Sequence, residues 1–388
     1  MAGIFRLKGV VKHYDWGGYS FIPHLLQVDN AAKKPFAEYW MGTHPLGNGT
    51  VEQEPVPVLV TAITAHLPYL FKILDVKDML SIQVHPSKTA AELEFRRENE
   101  AGIPLDAPHR NYKDDNHKPE MTVALGDFWL LHGFKPGPEL EKTLQETDGL
   151  QPLLAVFQSG GYAALYRQVM EMPQAEVNRM LRPLVNRIVP LYEKGALEKS
   201  SADFWAARAA LSFSKGDDID RGIFSIYIFN VVHLKKGEGI FQDAGLPHAY
   251  LEGQNVELMA NSDNVLRGGL TTKHIDVPEL MKHVKFVATH PQILPGKEIK
   301  PGERLYETPA PDFELSRLAV QQGDRLTIQP GSTEIWVVVE GEAILEQEGK
   351  TVVIGVGHPS ALVLPGEAVQ VSTPGVATVY RASIPERP

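Results

Sequence analysis

The residues best equipped for chemistry in this chain are histidines and carboxylates at the ends of short apolar runs. Leu80-Ser81-Ile82-Gln83-Val84-His85 closes on a histidine, and Pro86 stops it. In an extended strand Ser81, Gln83 and His85 share one face, while Ile82 and Val84 take the other. His117-Lys118-Pro119-Glu120 leads into Met121-Thr122-Val123-Ala124-Leu125, which sets a carboxylate at the rim of a strand beside a lysine and a histidine. Gly245-Leu246-Pro247-His248-Ala249-Tyr250 is a third short strand meeting a histidine, and Glu257, Asp263 and Arg267 follow it in apolar surroundings. Each cluster has an ordinary explanation of its own: a solvated strand face, an edge ion pair, a hydrogen-bonded core histidine, a turn at Asn261-Ser262-Asp263-Asn264. Together, two imidazoles, one carboxylate and one amide oxygen form a mixed nitrogen and oxygen donor set. Such a set suits zinc or another borderline divalent ion, provided the four converge.

Composition narrows the options. The chain has 388 residues and no cysteine. That excludes a disulfide scaffold, a thiolate zinc site, an iron–sulfur cluster and a cysteine nucleophile. Any metal must be held by His, Asp, Glu or amide oxygen. The formal net charge of -10 argues against a nucleic-acid or anionic-membrane surface, yet leaves room for a local basic pocket and a small anionic substrate. Lys72 is unusual inside the apolar run Tyr69 to Leu74. Burial would lower its pKa or set it against a phosphate, and the ordinary alternative is a snorkelling edge lysine. The start Met1-Ala2-Gly3-Ile4-Phe5-Arg6 lacks the apolar run of a signal peptide, and Ile226 to Val232 is far short of the ~20 residues that span a bilayer. A cytoplasmic protein without nucleic-acid or membrane partners, monomeric or weakly homo-oligomeric, is expected.

The elements that must position these groups are mostly β. Gly and Pro break the first 135 and last 150 residues into short β-branched and aromatic runs, the texture of sandwiches and barrels. Thr89 with Glu92 reads as a capping box for a helix through Arg97. Between Pro138 and about Gly216 the texture turns helical, with a period near 3.6 from Val177 to Ile188 and a second helix from Ser201 to Ser214. Pro183 is expected to kink or split the first of these. β texture returns at about Phe224. From Gly323 to Ala382, Ile335-Trp336-Val337-Val338-Val339, Glu342-Ala343-Ile344-Leu345 and Ala361-Leu362-Val363-Leu364 follow the rhythm of a small jelly roll. His358 and apolar strands are all that this last unit offers, so it is read as a cover for one face of the other barrel.

The blocks Tyr14-Asp15-Trp16-Gly17, Ala37 to Pro45, Ser81 to Pro86, Asn111 to Asp114 with Asn116 to Glu120, Pro247 to Tyr250 and Met259 to Arg267 stand in one order that resembles the type I mannose-6-phosphate isomerases (phosphomannose isomerases) of the cupin superfamily. The resemblance implies a mainly β fold with a helical insertion: a cupin (jelly-roll) catalytic barrel, an α-helical domain and a second C-terminal cupin-like barrel. The corresponding boundaries are 1–136 and 223–310 for the two parts of the catalytic domain, 137–222 for the helical insertion and 311–388 for the C-terminal barrel. It implies one Zn2+ held by Gln83, His85, Glu120 and His248, and a catalytic Arg267. Lys118, His117 and Asp263 match further catalytic positions, with Glu257 also a candidate proton carrier, and Lys72, Glu257 and Ser81 match substrate-binding ones. The implied partner is a small sugar phosphate, and the implied reaction interconverts mannose 6-phosphate and fructose 6-phosphate through an enediol. The competing readings are a cupin iron dioxygenase, a non-catalytic sugar-phosphate sensor, and an isomerase of a different aldose phosphate.

Overall fold

The computed structural model describes residues 3–53 and 56–386. Among them the strands form sheets of eleven, nine and four strands. The eleven-stranded sheet curls into the barrel that carries the candidate residues. Its centre is a run of antiparallel neighbours: Glu38–His44, Tyr69–Val76, His248–Ala260 and Glu120–Ala124. A period of two decides what each strand buries. Tyr39, Met41, Phe71, Ile73, Val256, Leu258, Met121 and Val123 face outward into an apolar core. Phe313 and, from the C-terminal sheet, Leu315, Ile335, Val337, Leu362 and Tyr380 complete that core. The alternate residues Trp40, Lys72, Glu257 and Glu120 face the barrel interior. Covering the outer face with apolar side chains thus commits the polar set to the inside.

The helical segment contains Gly137–Glu146, Gln151–Glu171, Gln174–Glu193, Ala202–Phe213 and Gly222–Ile228. Val177, Met180, Leu181, Leu184 and Ile188 form its buried stripe. They pack with Trp205 and Phe224 and with Ile82, Val84 and Leu251 of the barrel in one cluster. The helices therefore brace the back of the segment whose front carries Ser81 and Gln83.

Three local expectations are corrected. The second helix of the N-terminal half is Lys88–Glu100, capped by Ser87, whose Oγ accepts from the Ala90 amide at 3.3 Å. Thr89 already lies inside its first turn. Pro183 and Pro190 both sit within the continuous helix Gln174–Glu193, held on course by the apolar stripe on either side. The break falls instead at Gly161, where φ is 65° and ψ is -160°, inside Gln151–Glu171. β structure resumes at Phe229, because all seven residues of Gly222–Ile228 are buried and form a helix that is apolar all round.

Ile4–Lys8 lies between Ser360–Val363 and Thr50–Val51, so hydrogen bonds tie the first strand to the C-terminal sheet. The C-terminal unit also holds more than His358 and apolar strands. Arg381 stands opposite Trp336 and is buried against Glu334, with Nη2 at 2.9 and 3.0 Å and Nε at 3.1 Å from its carboxylate. It also pairs with Glu303, and its guanidinium lies 5.2 Å from the centroid of the Trp336 ring. Trp336 Nε1 donates to Glu334 at 2.6 Å. Arg381→Met would leave two buried carboxylates without their cation, a loss of about 3 kcal/mol or more. Urea unfolding of parent and variant checks this, and a loss under about 1 kcal/mol, the worth of an exposed pair, would contradict it.

Candidate metal centre

Cross-strand register brings the polar residues together. Trp40 stands opposite Lys72, Lys72 opposite Glu257, and Glu257 opposite Thr122. One pleat along, Gly42, Leu70, Met259, Glu120 and Gln242 form a second row across the same face. His248, at the start of its strand, stands opposite both Gln83 and His132, and Gln83 stands opposite Arg267. The strand at Leu80 to His85 is shorter than its pattern suggests, with only Gln83–Val84 in regular pairing. The alternation holds all the same: Ser81 and Gln83 line a cleft, while Ile82 and Val84 are fully buried behind them.

His85, Glu120 and His248 are all buried, and one candidate donor atom from each lies within 4.8 Å of the others. Their hydrogen bonds define what they can hold. Nδ1 of His85 lies 2.9 Å from the Asn264 carbonyl, and Nδ1 of His248 lies 2.9 Å from the Leu246 carbonyl. A carbonyl can only accept, so each ring donates from Nδ1 and turns its Nε2 inward. Burial and the nearby Lys118 pull the His85 pKa down to about 4, so this ring is neutral at pH 7. The two Nε2 atoms face Glu120 oxygens at 3.4 and 3.2 Å, and for the neutral His85 ring this sets acceptor against acceptor. Burial pushes the Glu120 carboxyl up, but the Lys118 ammonium at 2.9 Å holds it well below the usual carboxylate range. His85 Nε2 is buried without a hydrogen-bond partner. Two imidazole lone pairs and an ionised carboxylate converging in a dry pocket fit a divalent cation of the zinc type, with Gln83 beside His248 to add an amide oxygen.

The His85 anchor is itself held by a clasp. Asn264 Oδ1 accepts from the Lys113 amide at 2.7 Å, and its Nδ2 donates to the Asp114 and Asn116 carbonyls at 2.8 and 2.9 Å. Ser262 Oγ and the Asp263 amide reach the Asp114 carboxylate at 2.8 and 2.7 Å. The turn Asn261 to Asn264 is thus locked to residues 113–116, and both segments serve the metal pocket.

A cleft of ≈ 740 Å³ opens above this pocket. Of the residues singled out from the sequence, Lys72, Ser81, Gln83, Lys118, Asp263 and Arg267 line it. Glu257 lies beneath, with Oε2 accepting from Lys72 Nζ at 3.0 Å and Oε1 from the Tyr250 hydroxyl at 2.7 Å. The expectation of a lowered Lys72 pKa is corrected. Burial does pull it down, but Glu257 at 3.0 Å, Glu38 at 3.6 Å and Glu120 raise it further, so Lys72 stays a cation. His117 turns away, its Nε2 2.8 Å from Asp312. Arg267 has no carboxylate partner among the described residues, which sets aside the ion pair with Glu257 or Asp263, and burial lowers its pKa without threatening its charge. Lys273, also on the cleft wall, has its pKa lowered by burial and by Arg267.

Several contributors were not singled out from the sequence. Glu38 accepts from the Trp40 indole and pairs with Lys72, and His44 Nε2 lies 3.4 Å from Asp263. Ser212 and Phe213 bring the helical segment to the cleft wall. The alternation Glu38-x-Trp40 in a buried strand was the available signal for the first two.

Comparison with known proteins agrees with this geometry. Residues 4–137 match the family described as phosphomannose isomerase type I, catalytic domain. The mannose-6-phosphate isomerase of Escherichia coli (strain K12) is 37% identical over 362 residues, covering 88% of this chain and 90% of that protein. That of Salmonella typhimurium (strain LT2) is 36% identical over 400 residues, covering 97% and 99%. Among solved structures, a zinc-bound mannose 6-phosphate isomerase superimposes with a TM-score of 0.86 at 30% identity, covering 99% of this chain and 100% of that one. The Salmonella typhimurium enzyme bound to fructose 6-phosphate as substrate and to zinc gives 0.85 at 30% identity with the same coverage. With its cupin barrel, helical segment and converging donor set, the chain belongs to the type I mannose-6-phosphate isomerase (phosphomannose isomerase) family.

Proposed function

We propose that this chain interconverts mannose 6-phosphate and fructose 6-phosphate in the cleft, using one zinc ion held by Gln83, His85, Glu120 and His248. The observation that carries the proposal is the juxtaposition of three buried acceptors with a cleft wall bearing unpaired cations, in a chain whose net charge is -10. Isomerisation opens the sugar ring, removes a proton from C2 and returns one to C1 of the enediol. Negative charge grows on O1 and O2 meanwhile. A bound divalent ion supplies Lewis-acid stabilisation of that charge. Arg267, paired in register with Gln83 and free of carboxylates, adds a fixed positive charge at the same end of the cleft. Lys273 offers a second cation for the phosphate. Lys72, kept charged by the carboxylates beneath it, and Ser81 orient the sugar, while Glu257 positions Lys72. Proton transfer falls to the groups that face the cleft, Lys118 or Asp263, the latter steadied by His44. His117 is turned too far toward Asp312 for this role. Phe213 narrows the cleft and limits water around the reacting carbons.

In domain terms we read 1–136 and 223–310 as the catalytic part, 137–222 as its brace and partial wall, and 311–388 as the cover of its outer face, with Ile4–Lys8, Thr50–Val51, Val58–Leu59, Lys297–Lys300 and Glu303–Tyr306 hydrogen-bonded into the sheet of that last unit. No helix among the described residues is long and apolar enough to cross a membrane, and we place the activity in the cytoplasm.

The direct test is turnover of a panel of aldose phosphates before and after chelation. Mannose 6-phosphate should be the preferred aldose, dialysis against a chelator should abolish its turnover, and zinc should restore it. Undiminished turnover by metal-free protein, preference for another aldose phosphate, or oxygen consumption by iron-loaded protein would each defeat the proposal. Arg267→Ala should lower kcat and kcat/KM together by about a hundredfold or more, the ~3 kcal/mol typical of one fixed donor at a developing oxyanion. Zinc content should not change. A rise in KM with kcat at the parent value would make Arg267 a binding residue.

A further inference from the structure

Behind the candidate ligands lies a buried pair that none of the roles above uses. Gln242 stands opposite Glu120 in register, and His132 stands opposite His248. Directly opposed residues of an antiparallel pair project from the same face of the sheet, so each shares a face with its candidate ligand. Gln242 is fully buried and His132 nearly so. The two meet: His132 Nδ1 lies 3.3 Å from Gln242 Oε1. With the amide oxygen toward the ring, as here, His132 donates from Nδ1, because an amide oxygen only accepts. Gln242 Nε2 is left with two protons and no acceptor, although it is buried. A buried donor without a partner costs free energy unless another state of the site gives it one. The reverse orientation would turn an oxygen toward the face shared with Glu120, acceptor beside acceptor.

We infer that Gln242 is a positioning residue for the metal centre: its amide, oriented by His132, donates to the Glu120 carboxylate when that group turns to hold the ion. Glu120 is engaged by Lys118 through Oε1 and lies against both imidazoles. When the lone pairs of His85, His248 and Glu120 are drawn onto a cation, one carboxylate lobe stays free to accept. Gln242 is the unused donor on the same face. The bond would hold the carboxylate in a single orientation, which is how partners behind metal ligands raise affinity. His132 acts one step further back by preventing the amide from flipping.

This inference rests on the metal reading above, and its test is a zinc affinity, measured by competition with a chromophoric chelator and independent of turnover. Gln242→Met should raise the zinc Kd by about 10- to 100-fold. His132→Phe should raise it by no more than that, because the amide can then flip. His132→Asn, whose amide nitrogen can take the place of Nδ1, should stay within about threefold of the parent. The double variant with Met and Phe should bind no worse than Gln242→Met alone, since both changes disable one device. If Gln242→Met does not fold, the contrast between His132→Phe and His132→Asn carries the test. Parent-like affinity in Gln242→Met, equal affinity in the Phe and Asn variants, or losses that multiply in the double variant would overturn the inference while leaving the metal site standing. A parent protein that fails to bind zinc would overturn the metal reading and this inference with it.

Discussion

Two buried imidazoles are turned by backbone carbonyls so that both meet one buried, ionised carboxylate, and the barrel strands hold all three in place. His85 and His248 each commit Nδ1 to a backbone carbonyl, which leaves both Nε2 atoms facing Glu120. Left alone, the triad would relax by rotating a ring or protonating the carboxylate. Backbone geometry forbids the first, since the carbonyls of Asn264 and Leu246 belong to a clasped turn and to the residue pair just before the His248 strand. Lys118 opposes the second by holding the carboxylate ionised. A divalent cation placed between the three would satisfy them together.

The same sheet construction appears twice with different ends. In the catalytic barrel, Glu38-Tyr39-Trp40 lies across from Lys72, which stands opposite Trp40, pairs with Glu38 and lies 5.1 Å from the Trp40 ring. In the C-terminal sheet, Glu334-Ile335-Trp336 lies across from Arg381, which stands opposite Trp336, pairs with Glu334 and lies over that ring. The middle residues Tyr39 and Ile335 both enter the apolar core shared by the two sheets. What differs is the next strand. Glu257 leaves Lys72 at the edge of a cleft, whereas Glu303 and Ser316 enclose Arg381. One cation is kept available to a ligand, and the other serves the packing of its own sheet.

Much of the site was legible because it sits at strand ends, where a polar residue interrupts an apolar run. Gln83, His85, Glu120 and His248 stood out that way, and the resemblance of whole blocks joined them across long separations. Gln242, His132, Glu38 and His44 escaped notice because a polar residue within a strand has the same pattern whether its face meets water or a closed pocket. Only register tells the two apart. The pKa of Lys72 went the wrong way for a related reason: its environment is set by Glu257 and Glu38, which are distant in sequence and adjacent in the sheet. Among the helices, packing overrode local rules. Pro183 lies in an unbroken helix because the apolar stripe continues past it, and Gly222–Ile228 is helical although its composition suits a strand.

In the proposed function the triad holds the metal ion with which this chain moves a proton between adjacent sugar carbons. Adding zinc stepwise to metal-free protein in deuterium oxide, with fructose 6-phosphate present, and following deuterium entry at C1 by NMR tests it most directly. Negligible exchange is expected without metal, with a rise that is linear in added zinc until one equivalent per chain, then flat. Exchange at full rate in metal-free protein, or none at one bound equivalent, would contradict it.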